Sequence, residues 1–94
     1  MTEELMAYLE EHPEYFYLIR DKQLIALIRY LSGGARKFEE ISGALKMDEK
    51  KLAQVLDDLA KKQVVTVMKT HSEEAYILDF NGQRILDLLE KAKV

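Results

Sequence analysis

Between Lys37 and Gly82 three kinds of segment follow one another in a fixed order, and that order limits the fold more than any single residue does. Phe38-Glu39-Glu40-Ile41-Ser42-Gly43-Ala44-Leu45 reads as a short helix with two acids at its positive end and Ile41 and Leu45 turned inward. After a turn at Lys46-Met47, Asp48 caps a second amphipathic run that ends at Lys61-Lys62-Gln63. Its Leu52, Leu56 and Leu59 recur at i, i+4 and i+7, which makes one inward face. Val64-Val65-Thr66-Val67-Met68 and Tyr76-Ile77-Leu78 then flank the polar tip Thr70-His71-Ser72-Glu73-Glu74, the pattern of a β-hairpin. Two helices meeting at a tight corner, followed by a hairpin, form a compact unit that presents one helix outward. Such a helix is a device for fitting grooves.

The flanking segments are helical. Thr2 can cap a first helix whose apolar side is Leu5, Leu9 and Tyr8, and His12-Pro13 interrupts it because the residue before proline is disfavoured in helical geometry. Glu14-Tyr15-Phe16-Tyr17-Leu18-Ile19 follows as a concentrated aromatic patch, too large to leave in water without cause. Asp21 can cap the next helix, with Leu24, Ile25, Leu27, Ile28 and Leu31 as its stripe and Gly33-Gly34 as its stop. Arg36-Lys37-Phe38 reads as a short strand or extended link. Asp79 opens a last helix bearing Ile85, Leu86, Leu88, Leu89 and Ala92. The organisation predicted is a helical arm over residues 1–20 and a main domain over residues 21–94, mostly α with a small β-hairpin (α+β).

Composition excludes several classes of function. The 94 residues include no cysteine, which removes disulfides, thiolate metal sites and thiol nucleophiles. His12 and His71 are the only histidines and neither has a cluster of carboxylates beside it, so no metal or other cofactor is expected. Serines and threonines are scattered without a nucleophile–base motif, and catalysis is not expected. No apolar run approaches the roughly 18 residues needed to span a bilayer, and the acidic start Met1-Thr2-Glu3-Glu4 is unlike a secretory leader. The expectation is a cytoplasmic protein without a membrane segment. Net charge is −3, but Glu3, Glu4, Glu10, Glu11 and Glu14 place five acids in residues 1–19, which have no Lys or Arg. The remaining 75 residues hold 14 bases and 12 acids, so the acidity belongs to the arm and the body is mildly basic.

These residues resemble the winged helix-turn-helix superfamily, in the broad manner of MarR-like and ArsR-like regulators and their archaeal relatives. The matching features are Phe38-Glu39-Glu40-Ile41, the Leu52/Leu56/Leu59 face, Val64-Val65 entering the wing, and Tyr76-Ile77-Leu78-Asp79-Phe80-Asn81-Gly82 following a Tyr-x-Leu-Thr-x-x-Gly pattern. The likeness spans about residues 21–92, with extra helices at both ends. Two departures stand out. Relatives usually carry Gly where this chain has Gln63, which implies another geometry at that helix end. The wing tip His71-Ser72-Glu73-Glu74 is acidic where DNA-binding relatives often carry Arg or Lys.

The resemblance implies a homodimeric regulator of transcription that binds double-stranded DNA. By family position the second helix of the motif would reach base edges through Lys50, Lys51 and Gln54, since Gln can pair with adenine and Lys can reach guanine or phosphate. Arg36 and Lys37 are phosphate candidates, and Lys69 and His71 would place the wing against the backbone. Asp57 and Asp58 would repel phosphate if they faced it, and Lys61-Lys62 suit the negative end of their own helix. For the dimer, the arm offers Leu5, Tyr8, Leu9, Tyr15 and Phe16, and the last helix offers Ile85 and Leu89. The acidic wing and arm also suit a second reading, a protein-interaction module within a transcription, replication or chromosome assembly that makes no direct DNA contact.

Overall fold

A computed structural model describes residues 2–93 and contains six α-helices and a three-stranded sheet. Helix α1 (Glu3–Glu11) is capped by the Thr2 hydroxyl, which accepts from the Leu5 N–H at 3.3 Å. Pro13–Tyr15 forms one 3-10 turn and leads into α2 (Phe16–Arg20). Asp21 caps α3 (Lys22–Leu31) by accepting from the main-chain N–H groups of Gln23 and Leu24. Strand β1 (Arg36–Lys37) precedes α4 (Phe38–Leu45) and α5 (Glu49–Lys61); strands β2 (Val65–Lys69) and β3 (Glu74–Leu78) precede α6 (Phe80–Lys91). The strands run antiparallel in the order β1-β3-β2, with Arg36 opposite Tyr76 and Val65 opposite Leu78.

One apolar core joins these elements, and among the described residues no polar or charged residue is buried in it. The arm belongs to that core. Leu5 and Leu9 are each 1% exposed and Tyr15 4%, packed with Leu18, Leu27, Ile28, Leu88 and Leu89. The expectation that Leu5, Leu9, Tyr15, Ile85 and Leu89 serve a dimer contact therefore needs correcting, because all five fill the protomer's own interior. A 94-residue chain has little apolar material for a core, and burial within the chain avoids the entropy lost on association. Of the seven expected interface residues, Tyr8 and Phe16 keep part of their surface in solvent.

The end of α5 corrects a second expectation. Gln63 has φ 60°, the left-handed conformation that glycine would adopt, rather than a different geometry. Its N–H donates to the Ala60 carbonyl at 3.1 Å, and the Val64 N–H donates to the Leu59 carbonyl at 2.9 Å. Together these bonds make a Schellman closure, with Leu59 and Val64 in apolar contact beneath it. The neighbouring Lys62 carbonyl accepts from Asn81 Nδ2 at 3.0 Å and from the Tyr15 hydroxyl at 3.2 Å, which ties both terminal segments to this corner. Since the left-handed backbone costs an L-residue roughly 1–2 kcal/mol, Gln63→Gly should stabilise the fold by about 0.5–1 kcal/mol after its own chain entropy is counted. A lower chemical-denaturation midpoint for that variant would contradict this account of the corner.

Candidate nucleic-acid interface

Helix α5 is presented by its two ends and its inner face. At its start the Asp48 carboxylate accepts from the Lys51 N–H at 3.1 Å, while Lys46, at φ 52°, makes the left-handed corner out of α4. The Ser42 hydroxyl donates to the Met47 carbonyl at 2.8 Å and fixes that corner from the α4 side. Leu52, Leu56 and Leu59 are fully buried, so helical periodicity sends Lys50, Gln54, Asp57 and Lys61 to the opposite, exposed side.

The expected contact residues fare differently. Lys50 and Gln54 lie together on the outward face and are exposed. Lys51 sits on the flank, where its Nζ donates to Gln23 Oε1 on α3 at 3.1 Å. Arg36 is half-buried: its guanidinium lies 4.5 Å from the Tyr30 ring centroid, and its Nε is buried without a partner. Lys37 Nζ is bound to Glu73 Oε1 at 2.9 Å, a hydrogen bond that raises the lysine's pKa. Lys69 Nζ lies 3.8 Å from Glu74, and His71 is exposed at the tip, where the Thr70 N–H donates to the Glu73 carbonyl at 2.9 Å. The wing thus neutralises its own cations, and Lys37 ties its tip to the start of α4.

The two acids of α5 are also engaged. Asp57 pairs with Lys61 at 3.1 Å across one helical turn. Asp58 lies on the flank towards α2, where its carboxylate accepts from the Tyr17 hydroxyl at 2.6 Å and from Lys62 Nζ at 3.0 Å. The Tyr17 bond, then the Lys62 bond, hold the Asp58 carboxyl below the usual carboxylate range. Burial pulls the Lys62 ammonium down, but its bonds to Tyr17 and Asp58 outweigh that and leave it raised. Burial, followed by the bond to Asp58, pushes the Tyr17 hydroxyl up. Lys61 is the outward residue that sequence reasoning set aside. Its signal was the spacing 50, 54, 57, 61, and its assignment to the helix's negative end obscured it.

Among the described residues no group of three or more His, Asp or Glu side chains is placed to hold a metal ion, and no helix is long and apolar enough to cross a membrane.

No protein-family model and no curated protein matches the sequence. Solved structures do match the fold. The reduced form of the transcriptional regulator YodB from B. subtilis superposes with a TM-score of 0.78 at 20% identity, covering 88% of this chain and 85% of that one. The homodimeric winged helix-turn-helix DNA-binding domain of Mb0332 from Mycobacterium bovis, a possible ArsR-family transcriptional regulator, gives 0.74 at 16% identity over 99% of this chain and 87% of its own. MepR, a transcription regulator of the Staphylococcus aureus multidrug efflux pump MepA, gives 0.69 at 12% identity over 98% and 76%. With its order helix–corner–helix–wing and its β1-β3-β2 sheet, this chain has the winged helix-turn-helix fold.

Proposed function

We propose that the protein is a non-enzymatic, cytoplasmic regulator of transcription that binds double-stranded DNA as a homodimer, with α5 entering the major groove. The observation that carries this reading is the exposure of Lys50 and Gln54 on a helix whose opposite face, Leu52, Leu56 and Leu59, is buried in the domain. Proteins of the same fold that are described as transcriptional regulators support it. So does the internal pairing of Asp57 and Asp58, which reduces the repulsion these acids would exert on phosphate. In this reading Gln54 contacts a base edge and Lys50 contacts a base edge or phosphate, while Lys61 stays on Asp57 and screens its charge.

Selection of bound duplexes from a random pool, followed by titration of the best sequence at several salt concentrations, tests the proposal. Binding should weaken with salt along a log–log slope of about −0.9 per phosphate contact. The double variant Lys50→Ala/Gln54→Ala should lose about 2–4 kcal/mol of specific binding, a drop of 30-fold or more, while keeping its thermal midpoint. No enrichment of any sequence and no duplex binding at low salt would end the proposal.

A second reading has a specific observation in its favour. Lys37 and Lys69, the lysines at the wing, lie against Glu73 and Glu74 in exposed pairs that leave little net positive charge there, as a module that contacts protein rather than phosphate would have it.

A further inference from the structure

Burial of five of the seven expected dimer residues leaves only the half-buried Tyr8 and Phe16 of that set, and two other surfaces of the domain match in register. The first is on α1, where Met6 is 37% exposed and Ala7 is exposed beside it, with exposed Glu3 and Glu10 at either end. The second is a groove of about 660 Å³ between α3 and α4. Its α3 wall is lined by the edge of Ile25, which is 9% exposed, and by half-buried Ala26, with exposed Lys22 and Arg29 at either end; half-buried Tyr30 and Leu45 and exposed Ala44 complete the lining. No acid lines it.

The two stripes have the same spacing with opposite charge. Glu3 and Glu10 are seven residues apart with Met6-Ala7 between them, and Lys22 and Arg29 are seven apart with Ile25-Ala26 between them. Both pairs therefore span about 10.5 Å along their helices. Among the described residues none of these four charges meets an opposite charge within 4.0 Å, so all four are available to a partner. The small side chains of Ala7, Ala26 and Ala44 would let two helices approach to about 8 Å.

We propose that α1 of one copy docks in the α3–α4 groove of a second copy, Met6 and Ala7 lying on Ile25 and Ala26 and the two glutamates pairing with Arg29 and Lys22. Antiparallel docking also sets the helix dipoles head to tail. One such strip is smaller than a stable interface, which buries about 1,600 Å² in all, so the contact is made twice about a two-fold axis, each copy giving its α1 and receiving its partner's. This supplies the contact for the homodimer and rests on that part of the functional reading. Its test reads mass rather than DNA binding, so the two fail separately.

Sedimentation velocity on the full chain provides the test, with Glu3→Lys/Glu10→Lys as one variant and Lys22→Glu/Arg29→Glu as the other. The wild-type chain should sediment as a dimer, and each variant should be a folded monomer by circular dichroism, its self-association weakened about 100-fold or more. A mixture of the two variants should dimerise again, because the mixed pair has complementary charges at both contacts while each variant alone has neither. A monomeric wild-type chain, variants that still dimerise, or a mixture that stays monomeric would each overturn the proposal. Loss of the dimer in the groove variant alone would assign the groove to some other segment of the second copy. Mass that keeps growing with concentration would replace the two-fold arrangement by an open chain.

Discussion

Gly82→Ala should lower the unfolding free energy by about 3 kcal/mol and the thermal midpoint by about 15 °C. Gly82 lies in the first turn of α6, and a Cβ there would run into the main-chain carbonyl oxygen of Val64. It would also meet the Leu78 side chain at 3.1 Å. The Val64 oxygen cannot yield, because it accepts the Asp79 N–H at 2.9 Å and Val64 is itself clamped by its bond to Leu59. The added methyl would push α6 away from the base of the wing, opening the core around Leu78, Ile85 and Leu89. Gly43→Ala is the internal control. Gly43 is also helical, with open space where its Cβ would go, so the same substitution should stabilise the domain by about 0.5–1 kcal/mol. Equal effects at the two positions would mean that helix propensity, and not the approach to Val64, governs Gly82.

That contrast marks what was legible in the sequence. Gly82 was placed by pattern, as the end of Tyr76-Ile77-Leu78-Asp79-Phe80-Asn81-Gly82, but its reason is a carbonyl from the other end of the wing. Helices α1, α3, α5 and α6 were readable because their caps and apolar periods are local: Thr2, Asp21, Asp48 and Asp79 each accept a main-chain N–H within three residues. Helix α2 was not readable. Its five residues have no capping side chain, and their apolar run is too continuous to show a period. The inward placement of Tyr15 depends on the Lys62 carbonyl, 47 residues away. Gln63 illustrates the same limit, since its left-handed backbone is disfavoured locally and held by its N–H donating to Ala60, the Val64 N–H donating to Leu59 and the Asn81 N–H donating to the Gln63 carbonyl. At the candidate interface, Lys50, Lys51 and Gln54 came from family position, and helical spacing opposite Leu52, Leu56 and Leu59 accounts for the exposure of Lys50 and Gln54. The engagement of Lys37 by Glu73 depends on the β1–β3 register, which no local pattern announces.

The wing pairs carry the largest expected gain in binding. Glu73→Gln/Glu74→Gln should raise affinity for the selected duplex on the order of 60-fold at 0.1 M salt, and steepen the log–log salt dependence by up to about 1.8. Each freed lysine that reaches a phosphate releases about 0.9 counterion, worth about eightfold at that concentration, and two lysines, Lys37 and Lys69, become available. Both wild-type pairs are solvent-exposed, so breaking them should change stability by less than about 1 kcal/mol, and affinity and stability can be separated in one variant. The triple variant Glu73→Gln/Glu74→Gln/Lys37→Ala should return about half of the gain on a logarithmic scale, which assigns it to the released ammonium rather than to the lost acids. If the double variant binds DNA no better than the wild-type chain while α5 variants still abolish binding, the wing stands away from the backbone and recognition rests on α5 alone. If neither set of variants alters binding, the outward face of α5 serves a protein, and the acidic tip belongs to that contact.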